Sequence, residues 1–198
     1  MSHHHAVALP YELRRLLMDP GATEVAEGQQ WLLTLMRAQG TAVLCMLWRM
    51  LGCEQDVMDA YQSAVCRLAV KGRKEIGTNP AGYFYTIAKH VGIEILRKRQ
   101  LRHQHWPTIV DAEQRRSHDQ RHADIQGQSS DHRETLDRMR AAILELPARL
   151  RDVVILHDLA ELPYRDVARI MAVTTGSARV YRREAIVRLG KLLGQRDD

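Results

Sequence analysis

The chain has 198 residues, with 29 Lys and Arg against 24 Asp and Glu, which gives a net charge of +5. Its 45% hydrophobic and 27% charged residues exclude a disordered chain, and an aromatic share of only 5% disfavours a β-sandwich. No run approaches the ~18 apolar residues that a membrane-spanning helix needs. This composition favours an all-α cytoplasmic protein without membrane insertion.

Four segments before residue 103 carry apolar residues at helical spacing and are predicted to be amphipathic helices. They cover residues 9–18, 23–51, 54–70 and 79–102. Gly40 is expected to interrupt or kink the second of these helices. Asn79 and Pro80 form a typical helix start, because an asparagine side chain caps free N–H groups and proline fits the first turn.

A polar segment, residues 103–133, separates these helices from the rest of the chain. Its apolar residues are isolated among Gln, His, Arg, Asp and Ser, so it is predicted to be a flexible linker. We therefore predict an all-α fold of two helical domains joined by this linker. The predicted divisions are an N-terminal extension at 1–29, a first domain at 30–102, the linker, and a second domain at 134–198.

The second domain has the order of elements found in a helix-turn-helix. Predicted helices over 136–146 and from Pro147 onward are followed by a short helix that ends at Met171. A turn at 172–174 and a last helix from 175 to about 193 complete the domain. Two helices with a short turn between them, the second strongly basic, match the helix-turn-helix arrangement. Thr174 is the predicted N-cap of the last helix.

The basic charge is concentrated in the two predicted domains. Residues 51–105 carry +4 and residues 136–198 carry +3, whereas residues 106–135 carry −2. One basic cluster alone is typical of a solvated helix face. Two clusters, each on a helix that bears a motif, favour nucleic-acid binding.

Three groups of motifs, in this order, resemble a bacterial RNA polymerase sigma factor of the small, two-domain extracytoplasmic-function type. The resemblance covers roughly residues 33–102, similar to region 2 of the family, and 136–193, similar to region 4. The motifs are DVMDAYQ at 56–62, NPAGYFYTIAKH at 79–90 with LRKR at 96–99, and, in region 4, Leu146-Pro147, Arg151, LPYRDVA at 162–168 and Gly176-Ser177.

The resemblance implies a sigma factor that binds core RNA polymerase, at the clamp region of the largest subunit and the flap of the second largest. It would direct the enzyme to a two-part promoter, with an upstream (−35) and a downstream (−10) element, and promote DNA melting. An acidic and amide helix face suits a basic partner, although a solvated face is the simpler alternative. The residues predicted to bind core polymerase are Glu54, Asp56, Asp59 and Gln62.

Promoter melting needs aromatic side chains that hold unstacked bases, with cations nearby for the backbone. Tyr83 and Tyr85 are two residues apart on one helix and cannot both face the DNA, so one is expected in the core. The resemblance places Tyr83 at the DNA. The residues predicted to contact the downstream element are Tyr83, Lys89, His90, Arg97, Lys98 and Arg99.

The last helix is expected to read the upstream element in the major groove. The predicted contacts are Arg151, Thr175, Ser177, Arg179, Arg182 and Arg183. The sequence departs from the family pattern at Ala172, where a turn glycine is usual, at a cost of ~1–2 kcal/mol if the site is left-handed. The apolar seam of this helix is predicted to run through Ala178, Tyr181, Ala185 and Leu189, which would free Arg182 for DNA.

No catalytic residue, metal site or cofactor is predicted. The three cysteines lack CxxC spacing, and Cys45 and Cys66 are predicted to be small core residues. One alternative is a polymerase-independent helix-turn-helix regulator whose first domain senses or dimerises. Another is a metal-dependent nuclease that uses the histidines of the linker, which the lack of an ordered His, Asp and Glu cluster disfavours. Whether an anti-sigma factor binds the chain is left open.

Overall fold

The computed structural model describes residues 30–105 and 130–194. Nearly all of these residues are helical and none lies in a strand, so the predicted all-α class is confirmed. The predicted helix at 9–18 and the middle of the predicted linker lie outside the described residues. The helices are α1 (Gln30–Leu51), α2 (Glu54–Glu75), α3 (Pro80–His105), α4 (Ser130–Glu145), α5 (Ala148–Val153), a π-helical segment (Val154–Leu159), α6 (Tyr164–Met171) and α7 (Thr175–Gly194).

The described residues divide into two compact units, and the division lies between Val91 and Gly92. The division falls inside α3, before the boundary predicted at residue 102. Both ends of the predicted linker are helical, because α3 runs to His105 and α4 already starts at Ser130.

The prediction that Gly40 interrupts the first long helix is wrong. The interruption occurs in the next helix. α1 continues through Gly40, which is buried on the packed side of the helix. Gly72 interrupts α2 instead, with φ 73° and ψ 160°. That conformation is accessible to glycine and strained for residues with a Cβ atom. A glycine in a helix can either interrupt it or, when buried, let a neighbouring element approach closely. The presence of a glycine therefore does not by itself predict a kink.

The start of α3 is the predicted one. Asn79 Oδ1 accepts a hydrogen bond from the Gly82 N–H at 3.0 Å, and Pro80 is the first helical residue. This cap satisfies one of the N–H groups that have no partner within the helix. α3 therefore begins at a fixed residue, which sets the register of the side chains along it.

The core of the first unit brings α1, α2 and α3 together. The Tyr61 and Phe84 rings lie 5.8 Å apart between centroids in a tilted arrangement, which aromatic pairs favour. Tyr85 donates its hydroxyl hydrogen to Gln39 Oε1 at 3.3 Å and so joins α3 to α1. The fully buried residues of this core are Val43, Leu44, Met46, Leu47, Val57, Ala60, Ala64, Leu68, Phe84 and Ala88.

Replacing Tyr61 by phenylalanine is expected to stabilise the first unit. Tyr61 is 4% exposed, and its hydroxyl finds no hydrogen-bond partner in the part of the chain that the structure describes. An unsatisfied buried hydroxyl is costly, so Tyr61→Phe should raise the free energy of unfolding at pH 7 by about 1 kcal/mol. Urea denaturation of both proteins measures this difference. A loss of stability in the variant would show that the hydroxyl has a partner.

Tyr61→Phe should also reduce the loss of folding stability at alkaline pH. Burial raises the pKa of Tyr61 from 10.0 to about 12. The folded pKa lies above the unfolded one, so this contribution to stability is complete below pH 10 and is lost as the pH rises towards 12. Tyr61→Phe should therefore lose less stability than the natural chain between pH 10 and pH 12.

The second unit is organised around α7. The buried side of this helix carries Ala178, Ala185 and Leu189, which confirms three positions of the predicted seam, while Tyr181 is half-buried. Two alanines on this side allow α5 and α6 to pack closely against α7. The π-helical segment after α5 has the wide hydrogen bond of that geometry, from the Ala160 N–H to the Ile155 carbonyl oxygen at 2.9 Å.

The turn between α6 and α7 contains a strained residue. Ala172 ends α6 with φ 53° and ψ 47°, in the left-handed region. This is the site where the family usually has glycine, and the expected backbone strain is present. Ala172→Gly should raise the free energy of unfolding by about 0.5–1 kcal/mol, because relief of the strain exceeds the entropy that glycine adds to the unfolded chain.

A matched control for this prediction is Ala69→Gly, at an exposed position inside α2. There the backbone is helical, so glycine should lower stability by about 1 kcal/mol. Thermal unfolding of both variants checks the opposite signs. A destabilised Ala172→Gly protein would contradict the left-handed geometry.

Candidate nucleic-acid and protein interfaces

The acidic residues at the start of α2 fall into two groups. Glu54 and Asp56 lie in the first turn and are half-buried. Cys53 offers no side-chain cap, so these carboxylates stabilise the positive end of the helix dipole. Asp59 and Gln62 are exposed farther along the helix. Of the four residues predicted to contact the polymerase, Asp59 and Gln62 are the two whose side chains have no evident role in stabilising the fold.

The exposed side of α2 continues beyond Gln62. Cys66 is exposed, so its predicted place in the core is wrong, and Val70 is 89% exposed. Asp59, Gln62, Cys66 and Val70 follow one another at three- and four-residue spacings and therefore share one side of the helix. Ala64 and Leu68 occupy the opposite side in the core, as the register requires.

The two tyrosines of α3 separate as predicted. Tyr85 is 2% exposed and bonded to Gln39, whereas Tyr83 is half-buried and reaches the surface. His90 is exposed seven residues after Tyr83 and shares its side of the helix. Arg97 and Lys98 are exposed and Arg99 is half-buried.

Lys89 is the exception in this group and requires a correction. It is 3% exposed, so the structure does not offer its ammonium group to DNA. The residue lies off the side of α3 that carries Tyr83 and His90, because its helical position turns it towards the core. Of the α3 cations predicted to contact DNA, Arg97 and Lys98 are exposed and Arg99 is half-buried.

The start of α7 is built around Thr174. Its Oγ1 accepts a hydrogen bond from the Ser177 N–H at 3.0 Å, which confirms the predicted N-cap. The hydroxyls of Thr174 and Ser177 are also hydrogen-bonded to each other at 2.9 Å. Ser177 is thereby engaged in the cap, while Thr175 is exposed at the tip of the helix.

Arg179 is held over a stack of rings. Its guanidinium carbon lies 5.4 Å from the centre of the Tyr164 ring, a cation–π arrangement. Tyr164 in turn stacks on His157 at 4.0 Å, and His157 Nδ1–H donates to the Leu162 carbonyl oxygen at 2.8 Å. The carbonyl can only accept, so Nδ1 carries a hydrogen. This stack orients an exposed cation near the start of α7.

Arg182 is paired with a carboxylate, so the prediction that it is free to contact DNA is wrong. Its Nη2 lies 2.8 Å from Asp158 Oδ1, and its Nε contacts the same oxygen at 2.9 Å. The hydrogen bond with Asp158 raises the pKa of Arg182 above its ordinary value. The pair ties α7 to the π-helical segment. The neighbouring Arg183 is exposed and forms no ion pair with any residue in the described ranges.

Arg151 also requires a correction. It is only 9% exposed, and its Nη1 donates to the Leu144 carbonyl oxygen at 3.1 Å. That carbonyl belongs to the last turn of α4, where carbonyl groups lack partners within the helix. Burial lowers the pKa of Arg151. The side chain therefore joins α4 to α5 and is not placed to contact DNA.

Residues 30–105 and 130–194 hold no group of three or more His, Cys, Asp or Glu side chains that could bind a metal ion. Within the same ranges, no helix is long and apolar enough to cross a membrane.

These features define a helical protein that combines a helix-turn-helix, with an exposed basic start to its second helix, and a separate helical unit. The family model for Sigma-70 region 2 matches residues 35–102, and that for Sigma-70 region 4 matches residues 136–189. Together the two segments cover more than half of the chain. The protein belongs to the sigma-70 family of RNA polymerase sigma factors, a family of non-enzymatic transcription initiation factors.

The solved structures that are similar to the chain include two complexes. A structure of CnrH in complex with the cytosolic domain of CnrY has 15% identity and a TM-score of 0.50, and the match covers 85% of this chain and 91% of that one. The sigma factor RpoE of Bartonella quintana, in complex with the anti-sigma factor NepR, has 21% identity and a TM-score of 0.47, with coverage of 86% and 98%. No curated protein sequence matches the chain. The first similarity supports the fold.

Proposed function

We propose that the chain is a sigma factor of the extracytoplasmic-function type that binds core RNA polymerase, recognises a two-part promoter and promotes DNA melting. The observation that carries this is the presence, in one chain, of a region 2 match and a region 4 match with a formed helix-turn-helix. It supplies no catalytic group, because the polymerase performs the chemistry. Its place of action is the cytoplasm, where polymerase and chromosomal DNA meet.

Three surfaces bind the polymerase and the two promoter elements. The exposed part of α2, with Asp59 and Gln62, binds the clamp region of the largest polymerase subunit. α3 contacts the downstream element through Tyr83, His90, Arg97, Lys98 and Arg99. The start of α7 contacts the upstream element through Thr175, Ser177, Arg179 and Arg183, and the second domain docks on the flap of the second largest subunit. Glu54 and Asp56 support the first surface from the first turn of α2.

Run-off transcription tests the proposal. The full chain is combined with a bacterial core RNA polymerase, and bound promoters are selected from a library with randomised upstream and downstream elements. Promoter-dependent transcripts that need both the core enzyme and the chain support the assignment. A folded sample that yields no such product on any selected template contradicts it.

The polymerase-independent regulator is distinguished by a pull-down. It would bind duplex DNA tightly without polymerase and would not retain the core enzyme, whereas a sigma factor co-purifies with core. We also propose an anti-sigma factor as a further class of partner. RpoE of Bartonella quintana is in complex with such a protein.

A further inference from the structure

One exposed apolar residue stands among the cations at the start of α7. Val180 is 62% exposed and lies between Arg179 and Arg183, which are exposed on the same side of the helix. At ~100° per residue, Gly176, Arg179, Val180 and Arg183 fall within an arc of about 100°. Ala178 and Ala185 mark the buried side opposite. Val180 is thus directed outward by the register of the helix, and it contributes nothing to the core.

The surroundings of Val180 favour close contact with a flat partner. Gly176, one turn earlier, has no side chain, and a Cβ atom there would meet only Thr174 Oγ1, at 3.7 Å. Valine is β-branched and holds essentially one rotamer in a helix, so its two methyl groups have fixed positions. The result is a rigid apolar contact point that projects beyond a bare stretch of helix.

The cations around it indicate which partner this is. Arg179 and Arg183 lie beside Val180 on the exposed arc, and in the proposed function they face duplex DNA. The major groove presents hydrogen-bonding groups at nearly every base edge, and its apolar group is the C5-methyl of thymine. If two neighbouring arginines position the valine in that groove, the thymine methyl group is the apolar group that it can contact.

We propose that Val180 is a specificity-determining residue that contacts a thymine methyl group in the upstream promoter element. The inference rests on the proposed function and deepens it, because it states which base one side chain selects. Val187 and Ile186 are also exposed, at 55% and 47%, but they lie two turns nearer the end of α7. Val187 therefore serves as a matched control of the same residue type on the same side.

The test removes the methyl group from the DNA. Holoenzyme formed with the full chain binds a promoter selected from the randomised library, and each thymine of the upstream element is replaced in turn by deoxyuridine. At one thymine the natural chain should lose about fourfold in affinity, which corresponds to about 0.8 kcal/mol for one buried carbon group. Val180→Ala should lose less than about 1.5-fold at that position, whereas Val187→Ala should keep the fourfold effect.

Three results would overturn the inference: a selected upstream element without thymine, a natural chain indifferent to every deoxyuridine, or a Val180→Ala protein that keeps the full effect. Failure of the proposed function has a different signature, since no promoter would then be selected with holoenzyme. Circular dichroism of both variants should match the natural chain, because neither side chain is buried.

Discussion

Asp59→Lys is expected to abolish binding of core RNA polymerase while leaving the fold intact. Asp59 is exposed on α2 and forms no ion pair with any described residue, so the folded chain does not need its charge. Lysine is also the better helix former. At an interface with a basic partner, the reversed charge places like charges together, which costs several kcal/mol. We expect the affinity to fall by at least about 100-fold, measured by titration of labelled core enzyme.

Glu75→Lys is the matched control, since it makes the same change of charge on an exposed residue at the far end of α2. It lies beyond the interruption at Gly72 and outside the proposed surface. Its affinity for core should stay within about twofold of the natural chain. Asp59→Asn, which removes the charge without reversing it, should fall between the two. Equal binding by Asp59→Lys and the natural chain would remove α2 from the polymerase interface.

Local chemistry made the helix starts predictable from sequence. Asn79 and Thr174 cap their helices because a short polar side chain can reach the free N–H groups of its own first turn. For the two caps the decisive contacts lie within a few residues along the chain, so no tertiary information was needed. For Ala172, the family resemblance and not local chemistry indicated a turn glycine position, and the residue has a left-handed backbone.

Burial of charged residues could not be predicted in the same way. Lys89 and Arg151 were assigned to DNA because they are basic residues within motif-bearing segments. Their positions depend on how a whole helix is packed, and both side chains lie within the fold. Cys66 shows the reverse, because an apolar neighbourhood in sequence did not place it in the core. For α3, apolar residues on most sides of the helix left little pattern from which to choose the exposed side.

Arg182 and Arg183 show how far two adjacent, identical residues can differ. The sequence offered both as DNA contacts, and a change of one residue is a turn of ~100° around the helix. That turn directs Arg182 to Asp158, 24 positions earlier in the chain, and leaves Arg183 outward. Only the tertiary position of the π-helical segment decides between them. The two arginines therefore have separable roles, and matched substitutions measure each one.

Arg183→Ala should weaken binding of holoenzyme to the upstream element by about 1–3 kcal/mol if the side chain reads a base, with unchanged stability. Arg182→Ala should instead lower the free energy of unfolding by about 1 kcal/mol, because it leaves the partly buried Asp158 without its partner. DNA titrations give the affinity of each variant, and urea denaturation gives the free energy of unfolding of each variant.

The comparison also separates the two kinds of DNA contact that Arg183 can make. Loss confined to the selected upstream sequence identifies a base contact, since a phosphate carries no sequence information. Equal loss on every sequence, with a salt dependence reduced by about one charge, identifies a phosphate contact. An Arg182→Ala protein that keeps full stability but loses DNA binding would reverse the assignment. In that case Asp158 would release Arg182 to the DNA on binding.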